Sequence, residues 1–241
     1  YSPINKDELI DILEKHKSGK IRVVASKHSW SGLIETEDVL IDMSHFDYVK
    51  IQEKNHKTSV TVGAGCKVKK LLADLNRKGL TIPSVGLIDQ QTIAGATATG
   101  THGSGKHSLS HYIESLQLAC FDENGKSAQI VDITEGVALQ AARCSLGCLG
   151  VVVEMTLPCI PQYYVQEKAT FCDTIEEVLA LEKEAPLQQF FLIPHSWKFF
   201  TQERLVSLEL RRRGFAVIYR IYWFLVIDVG MHLVMKLLVS I

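Results

Sequence analysis

Two stretches of this chain carry residue types at spacings that could do chemistry. The denser runs from Gly86 to Gly105 and reads GLIDQQTIAGATATGTHGSG. Its glycine, alanine and threonine cannot supply bulky core side chains. They do let backbone N–H groups come close to a ligand and set hydroxyl donors beside them. Holding a pyrophosphate without cationic side chains needs that arrangement. A plain small-residue turn is the competing reading, since such loops are common. The second stretch is Arg22-Val23-Val24-Ala25-Ser26-Lys27-His28-Ser29, a β-type run passing into a short turn. A strand that runs out into a turn displays its last side chains at one sheet edge, where a ligand crossing the sheet meets them. Taken singly, His28 and His102 read as surface or capped histidines as readily as functional ones.

The elements that would position these stretches alternate along the chain. Asn5 and Glu8 have the capping-box spacing for a helix through about Lys17, apolar at Leu9, Ile10, Ile12 and Leu13. Short β-rich runs follow at Ile21–Ala25, Val39–Met43, Val49–Gln52 and Ser59–Val62. Val68, Leu71, Leu72 and Leu75 recur at helical spacing and stop at Gly79. Ser115–Phe121, Gln129–Val131 and Val151–Leu157 read as strands, with a helix over Ala138–Arg143. Helices mixed with short strands predict an α+β domain. A doubly wound dinucleotide fold is not indicated, because no GxGxxG lies between a strand and a helix.

Composition narrows the function classes. The 241 residues carry 26 Lys and Arg against 27 Asp and Glu, a formal net charge of −1, with 46% apolar residues. That apolar fraction suits a globular core and argues against disorder. The charge balance argues against a nucleic-acid partner, since no basic surplus exists to neutralise phosphates. Cys66, Cys120, Cys144, Cys148, Cys159 and Cys172 contain no CxxC pair, read as reduced thiols of an intracellular, cytosol-facing protein, and suggest no metal site. Of 16 glycines, eight fall between Gly63 and Gly105, whereas 10 of the 19 aromatics lie in the last 52 residues. The shift predicts a boundary near Pro158 to Gln166. The chain starts at Tyr1 inside a helical pattern and ends in an apolar run, as a piece of a longer protein would.

Five motifs in order give these features a common source: the first helix, RVVASKHSWSGL, VTVGAGCKVKKLLADLNRKGLTIPSVG, TIAGATATGTHGSG and ARCSLGCLGVVVEMTLP. Together they resemble the PCMH-type FAD-binding domain of the vanillyl-alcohol oxidase superfamily. The similarity is closest to the sugar-1,4-lactone oxidases (L-gulonolactone oxidase and D-arabinono-1,4-lactone oxidase), with alditol oxidases similar over the same stretches. The resemblance covers about residues 1–165 and implies two α+β subdomains there, with 166–241 the incomplete start of a substrate domain. It implies that Val23, Val24, Ala25, Ser26, Lys27, His28 and Ser29 wrap the FAD pyrophosphate, with His28 bonded covalently to the flavin. Thr92, Gly95, Thr99, Gly100, Thr101 and His102 would form the other flank, and Val152 would lie near the adenine. The implied partners are a sugar-lactone substrate and dioxygen or another electron acceptor. An alditol or other carbohydrate oxidase on the same scaffold, or a degenerate membrane-associated flavin-binding fragment without catalysis, are the alternatives.

The resemblance implies glycine, as the lactone oxidases usually have it, where this chain has Ala25 and Lys27, although a basic residue at the second place also occurs in alditol oxidases. Of the two departures Ala25 is the more awkward, harmless only if its backbone avoids positive φ. Lys27 could face a phosphate. Catalytic residues would belong to the substrate domain, and no segment after Gln166 matches its motifs; Phe190–Lys198 reads as an early, aromatic-rich strand. Finally, residues 215–241 are strongly apolar but interrupted by Arg220, Asp228, His232 and Lys236, and follow Arg211-Arg212-Arg213. Three readings stand: a helix buried in the substrate domain, an interfacial helix, or a span of a mitochondrial or endoplasmic-reticulum membrane.

Overall fold

The computed structural model describes residues 1–104, 107–184, 189–207 and 213–239. Helix α1 spans Lys6–Lys15, and the Asn5 side chain accepts from the Glu8 N–H at 2.9 Å, a cap worth about 1 kcal/mol. The Glu8 carboxylate reaches back one residue further than the capping box requires, to the Ile4 N–H at 3.0 Å. The chain then forms β1 (Ile21–Val24), β2 (Val39–Asp42), β3 (Val49–Lys54), β4 (Lys57–Gly63), α2 (Val68–Asn76) and β5 (Leu80–Thr81). Next come α3 (Ile93–Ala98), β6 (Ser115–Phe121), β7 (Ala128–Ile133), α4 (Gly136–Arg143), β8 (Val151–Pro158) and β9 (Ile160–Pro161). Beyond them lie β10 (Tyr164–Cys172), α5 (Ile175–Glu182), β11 (Gln189–Ile193), β12 (Lys198–Ser207), α6 (Arg213–Trp223), a π-helical stretch (Phe224–Met231) and α7 (His232–Val239).

A five-stranded antiparallel sheet, ordered β3-β4-β8-β6-β7, is the frame. One core cluster joins Val60, Val62, Leu116, Leu118, Met155 and Leu157 of that sheet to Val68, Leu71 and Leu75 of α2, Ile93 and Ala96 of α3, and Leu139 and Ala142 of α4. Leu71 and Leu75 have no exposed surface, and burying a leucine contributes about 1.5–3 kcal/mol. A second cluster joins Leu9 and Leu13 of α1 to Val39 and Ile41 of β2 and to Val151 and Val153 of β8. Strand β8 therefore serves both cores. It holds the Gly-rich segment on one and the parallel pair β1-β2 on the other.

The later residues are built differently, around a three-stranded antiparallel sheet ordered β10-β12-β11. Aromatic side chains stand exposed on it, among them Phe171, Phe190 and Phe191. The helical run from Arg213 to Val239 exposes Ile218, Tyr222, Phe224 and Leu237. Among the described residues, no helix is long and apolar enough to cross a membrane. Gly105, Arg211 and Arg212, marked in the sequence, lie outside the described residues, as does the Asp228 side chain.

Candidate cofactor-binding site

A cavity of about 500 Å³ opens where three stretches of backbone leave their elements. Small-molecule sites usually enclose ~300–1,000 Å³. The first wall follows β1. The Met43 N–H donates to the Val24 carbonyl at 2.8 Å and fixes where the chain leaves the parallel pair. From there Ala25, Ser26, Lys27, His28, Ser29, Trp30 and Ser31 pass along the cavity. Ligands of parallel strands collect outside the carboxyl ends, and this wall lies there.

The second wall is α3, a helix hidden in what the sequence shows as a Gly-rich loop. The Ile93 N–H donates to the Cys66 carbonyl at 2.8 Å, and the Val68 N–H to the Gln91 carbonyl at 2.9 Å. These bonds tie the start of α3 to the start of α2. Thr92 caps the helix, its hydroxyl accepting from the Gly95 N–H at 3.4 Å. Thr99 bonds back to the Gly95 carbonyl at 3.0 Å. One hydrogen bond joins the first wall to the second: the Thr92 N–H donates to Ser26 Oγ at 3.1 Å. The third wall is the bend between α4 and β8, with Leu146, Gly147 and Gly150 to Val152. The Leu146 N–H donates to the Ala98 carbonyl at 3.2 Å, closing that bend onto α3.

Val23, Val24, Ala25, Ser26, Lys27, His28, Ser29, Thr92, Gly95, Thr99 and Val152, marked from the sequence, all line this cavity. Gly100, Thr101 and His102 are not on its lining. Their segment packs instead on the turn before Gly86. A Cβ on Gly103 would meet the Val85 carbonyl oxygen at 2.2 Å, and one on Gly86 would meet Thr101 Cγ2 at 2.7 Å. The His102 Nδ1–H donates to the Gly103 carbonyl at 2.9 Å. Gly86 and Gly103 thus serve close packing within the segment, whereas Gly95 lines the cavity.

Sequence reasoning passed over the apolar part of the wall, which includes Trp30, Leu33, Ile34 and Met43. Trp30 and Leu33 belong to the RVVASKHSWSGL run and could have been taken with it. Met43 and Ala64 directly follow β2 and β4 and carry no local signal. Trp30 is wholly exposed, at 101%.

The backbone also reorders the two departures from glycine. Ala25, expected to be the awkward one, is not among the residues at positive φ, whereas Lys27 lies at φ 56. Lys27 is the one formally charged side chain on the wall among the described residues, and no carboxylate lines it. The His28 imidazole is exposed. Small side chains, hydroxyls and a wall without negative charge fit a phosphate-bearing dinucleotide, with an accessible imidazole beside it.

Comparison with known proteins agrees with this geometry. Residues 1–129 match the family model described as FAD binding domain. A long-chain alcohol oxidase of an uncultured marine euryarchaeote is 43% identical over 97% of this chain and 48% of its own length. The L-gulonolactone oxidase of Bos taurus is 31% identical over 81% of this chain and 46% of its own. The chain thus spans about half the length of the curated relatives it matches. Cholesterol oxidase from B. sterolicum has the same fold, with a TM-score of 0.77 at 17% identity, covering 87% of this chain and 45% of that one. The matched model, the motif order and the shared fold place this chain in the PCMH-type FAD-binding domain family of the vanillyl-alcohol oxidase superfamily.

Proposed function

We propose that the chain holds FAD in the cavity between the β1 loop and α3, and that the protein oxidises an alcohol carbon of an aldono-1,4-lactone such as D-arabinono- or L-gulono-1,4-lactone. The observation that carries this reading is the bond between Ser26 and Thr92, which joins the two cofactor loops across one cavity with His28 on its wall. When bound, FAD supplies the hydride acceptor that no side chain can provide. The chain's own residues bind and orient. Backbone and hydroxyl groups of Ser26, Ser29, Thr92 and Thr99 would receive the polar part of the cofactor, and Ile34 and Met43 would give its ring system an apolar wall. His28 is the residue proposed for covalent attachment. Dioxygen is the proposed acceptor, giving hydrogen peroxide.

A second reading for the substrate is a long-chain alcohol, favoured by the 43% identity to a long-chain alcohol oxidase. Both readings share the cavity and differ in the substrate domain, where specificity is set.

The test is direct. Protein expressed with FAD available should be yellow, and after acid denaturation the band on a gel should keep flavin fluorescence. His28→Ala should release the flavin on denaturation while keeping the wild-type melting temperature. A colourless, folded wild-type protein would overturn the FAD reading. A yellow protein whose flavin is lost on denaturation would overturn covalent attachment alone. Peroxide release by the whole protein, substrate domain included, with aldonolactones and with long-chain alcohols then separates the two substrates; residues 1–241 alone should release none.

A further inference from the structure

The two free edges of the later sheet differ in charge. In the order β10-β12-β11 the inner strand is β12, so among the described residues β10 and β11 each keep one edge without a neighbouring strand. The backbone N–H and C=O groups along such an edge are completed by another strand. Edge β10 is guarded. Glu167 and Lys168 stand at its middle, Glu167 accepting from Arg204 Nε at 2.8 Å and Lys168 pairing with Glu203 at 3.6 Å. A two-fold register that pairs all nine residues of β10 with a second copy sets Lys168 against Lys168. Moving the axis by one residue sets Glu167 against Glu167, and like charges directly opposite repel. Edge β11 has no such guard. Its five residues, Gln189–Ile193, carry no charge, and Phe190, Phe191, Leu192 and Ile193 are all exposed.

The sequence of β11 also matches itself. In antiparallel pairing about a two-fold axis, a register centred on Phe191 uses the whole strand. Phe191 then meets Phe191, Phe190 meets Leu192, and Gln189 meets Ile193, so no charge is buried. One face of the sheet continues through the same axis. Phe171, Phe200 and Phe191 already stand in a cross-strand row, with ring centroids 5.3 and 6.5 Å apart. An axis at Phe191 runs that row into its own copy and sets six rings side by side.

We propose that β11 is a dimerisation edge, pairing antiparallel with β11 of a second copy about an axis at Phe191 and joining two three-stranded sheets into one of six strands. An uncharged edge offers an unlike partner no electrostatic selection, whereas its own sequence supplies a complete apolar match. The interface is independent of the FAD reading, because the cavity lining ends at Val152.

Sedimentation of the 241-residue chain from about 1 to 100 μM, where a small strand-edge interface dissociates, should show a reversible monomer–dimer equilibrium. Phe191→Lys and Phe191→Glu each set like charges on the axis, so each should sediment as a monomer. Mixed in equal amounts they should dimerise, since lysine then faces glutamate. Both should keep the wild-type melting temperature and the wild-type affinity for ADP, the adenine and diphosphate part of FAD. Phe191→Cys should cross-link into a covalent dimer under mild oxidation. Leu192→Cys faces Phe190 in this register and should cross-link no more than wild type does. A wild-type chain that stays monomeric throughout would overturn the proposal. So would dimerisation unchanged in both charged variants, which would assign association to the exposed helical side chains after Arg213. Monomeric variants that fail to dimerise on mixing would overturn the pairing at Phe191. A folded dimer that binds no ADP would count against the FAD reading and leave this interface standing.

Discussion

Cys66 has no exposed surface, and burial pushes its thiol from the ordinary 9.0 up to about 11. Cys159, half-buried with Glu114 nearby, is likewise pushed up to about 11. Both thiols stay protonated in the fold over a range where unfolded thiols ionise. Their contribution to stability is therefore complete below pH 9 and is lost as pH rises toward 11. Urea midpoints measured at pH 8, 9, 10 and 11 should fall across that window, and Cys66→Ala should make the fall shallower. A flat profile would refute the assignment. At neutral pH an aromatic disulfide reagent should modify exposed Cys144 and Cys148 quickly and Cys66 only after unfolding, because reactivity needs both thiolate and access. The same scale shows what one residue's type conceals. The departure of Lys27 from glycine is readable in the sequence, but its positive φ is set by the loop that carries it. Ala25, two positions earlier, tolerates its methyl because the chain has only just left β1 there.

Several elements were readable from the sequence: α1 from its cap and apolar stripe, α2 from Val68, Leu71 and Leu75, and β8 from the β-type run Val151–Leu157, whose positions the structure buries alternately. Helix α3 was not. Its IAGATA sequence has too few apolar residues for a stripe, and its stability comes from Ile93 and Ala96 in the first core and from the Thr92 cap. Tertiary packing overrides weak propensity there. Glycine use divides in a similar way, since only the fold tells which glycines are under pressure. At the start of β8, Gly150 has φ +140, and a Cβ on it would meet the Ala119 carbonyl oxygen at 2.7 Å. Gly125, in the turn between β6 and β7, has φ +66 with nothing within 4 Å. Gly125→Ala should cost about 1–2 kcal/mol, the left-handed conformation alone. Gly150→Ala adds a clash with backbone that cannot rotate away, and should cost about 3 kcal/mol or more. Paired melting curves check this, and equal losses would show that the β6–β8 contact yields.

For the whole molecule, every residue lining the cavity falls between Val23 and Val152. Strand β9 still belongs to that part of the chain, because Ile160 and Pro161 pair with Thr81 and Leu80 of β5. From Tyr164 onward the residues form a separate three-stranded sheet, and the described apolar side chains there stand largely in water. Exposed apolar surface of this extent marks a face made for contact or a liability for association. A chain cut after residue 165 should therefore keep both buried cores and the complete cavity wall, while shedding most of the exposed aromatic surface. ADP should bind it within about twofold of the 241-residue chain, since distant independent parts contribute additively. A dye that fluoresces on apolar surfaces should bind it much less, and its light scattering should stay low at concentrations where the longer chain associates. Loss of ADP binding with the fold intact would mean that residues after 165 organise the cavity from a distance, and that the boundary near Gln166 divides the sequence without dividing the function.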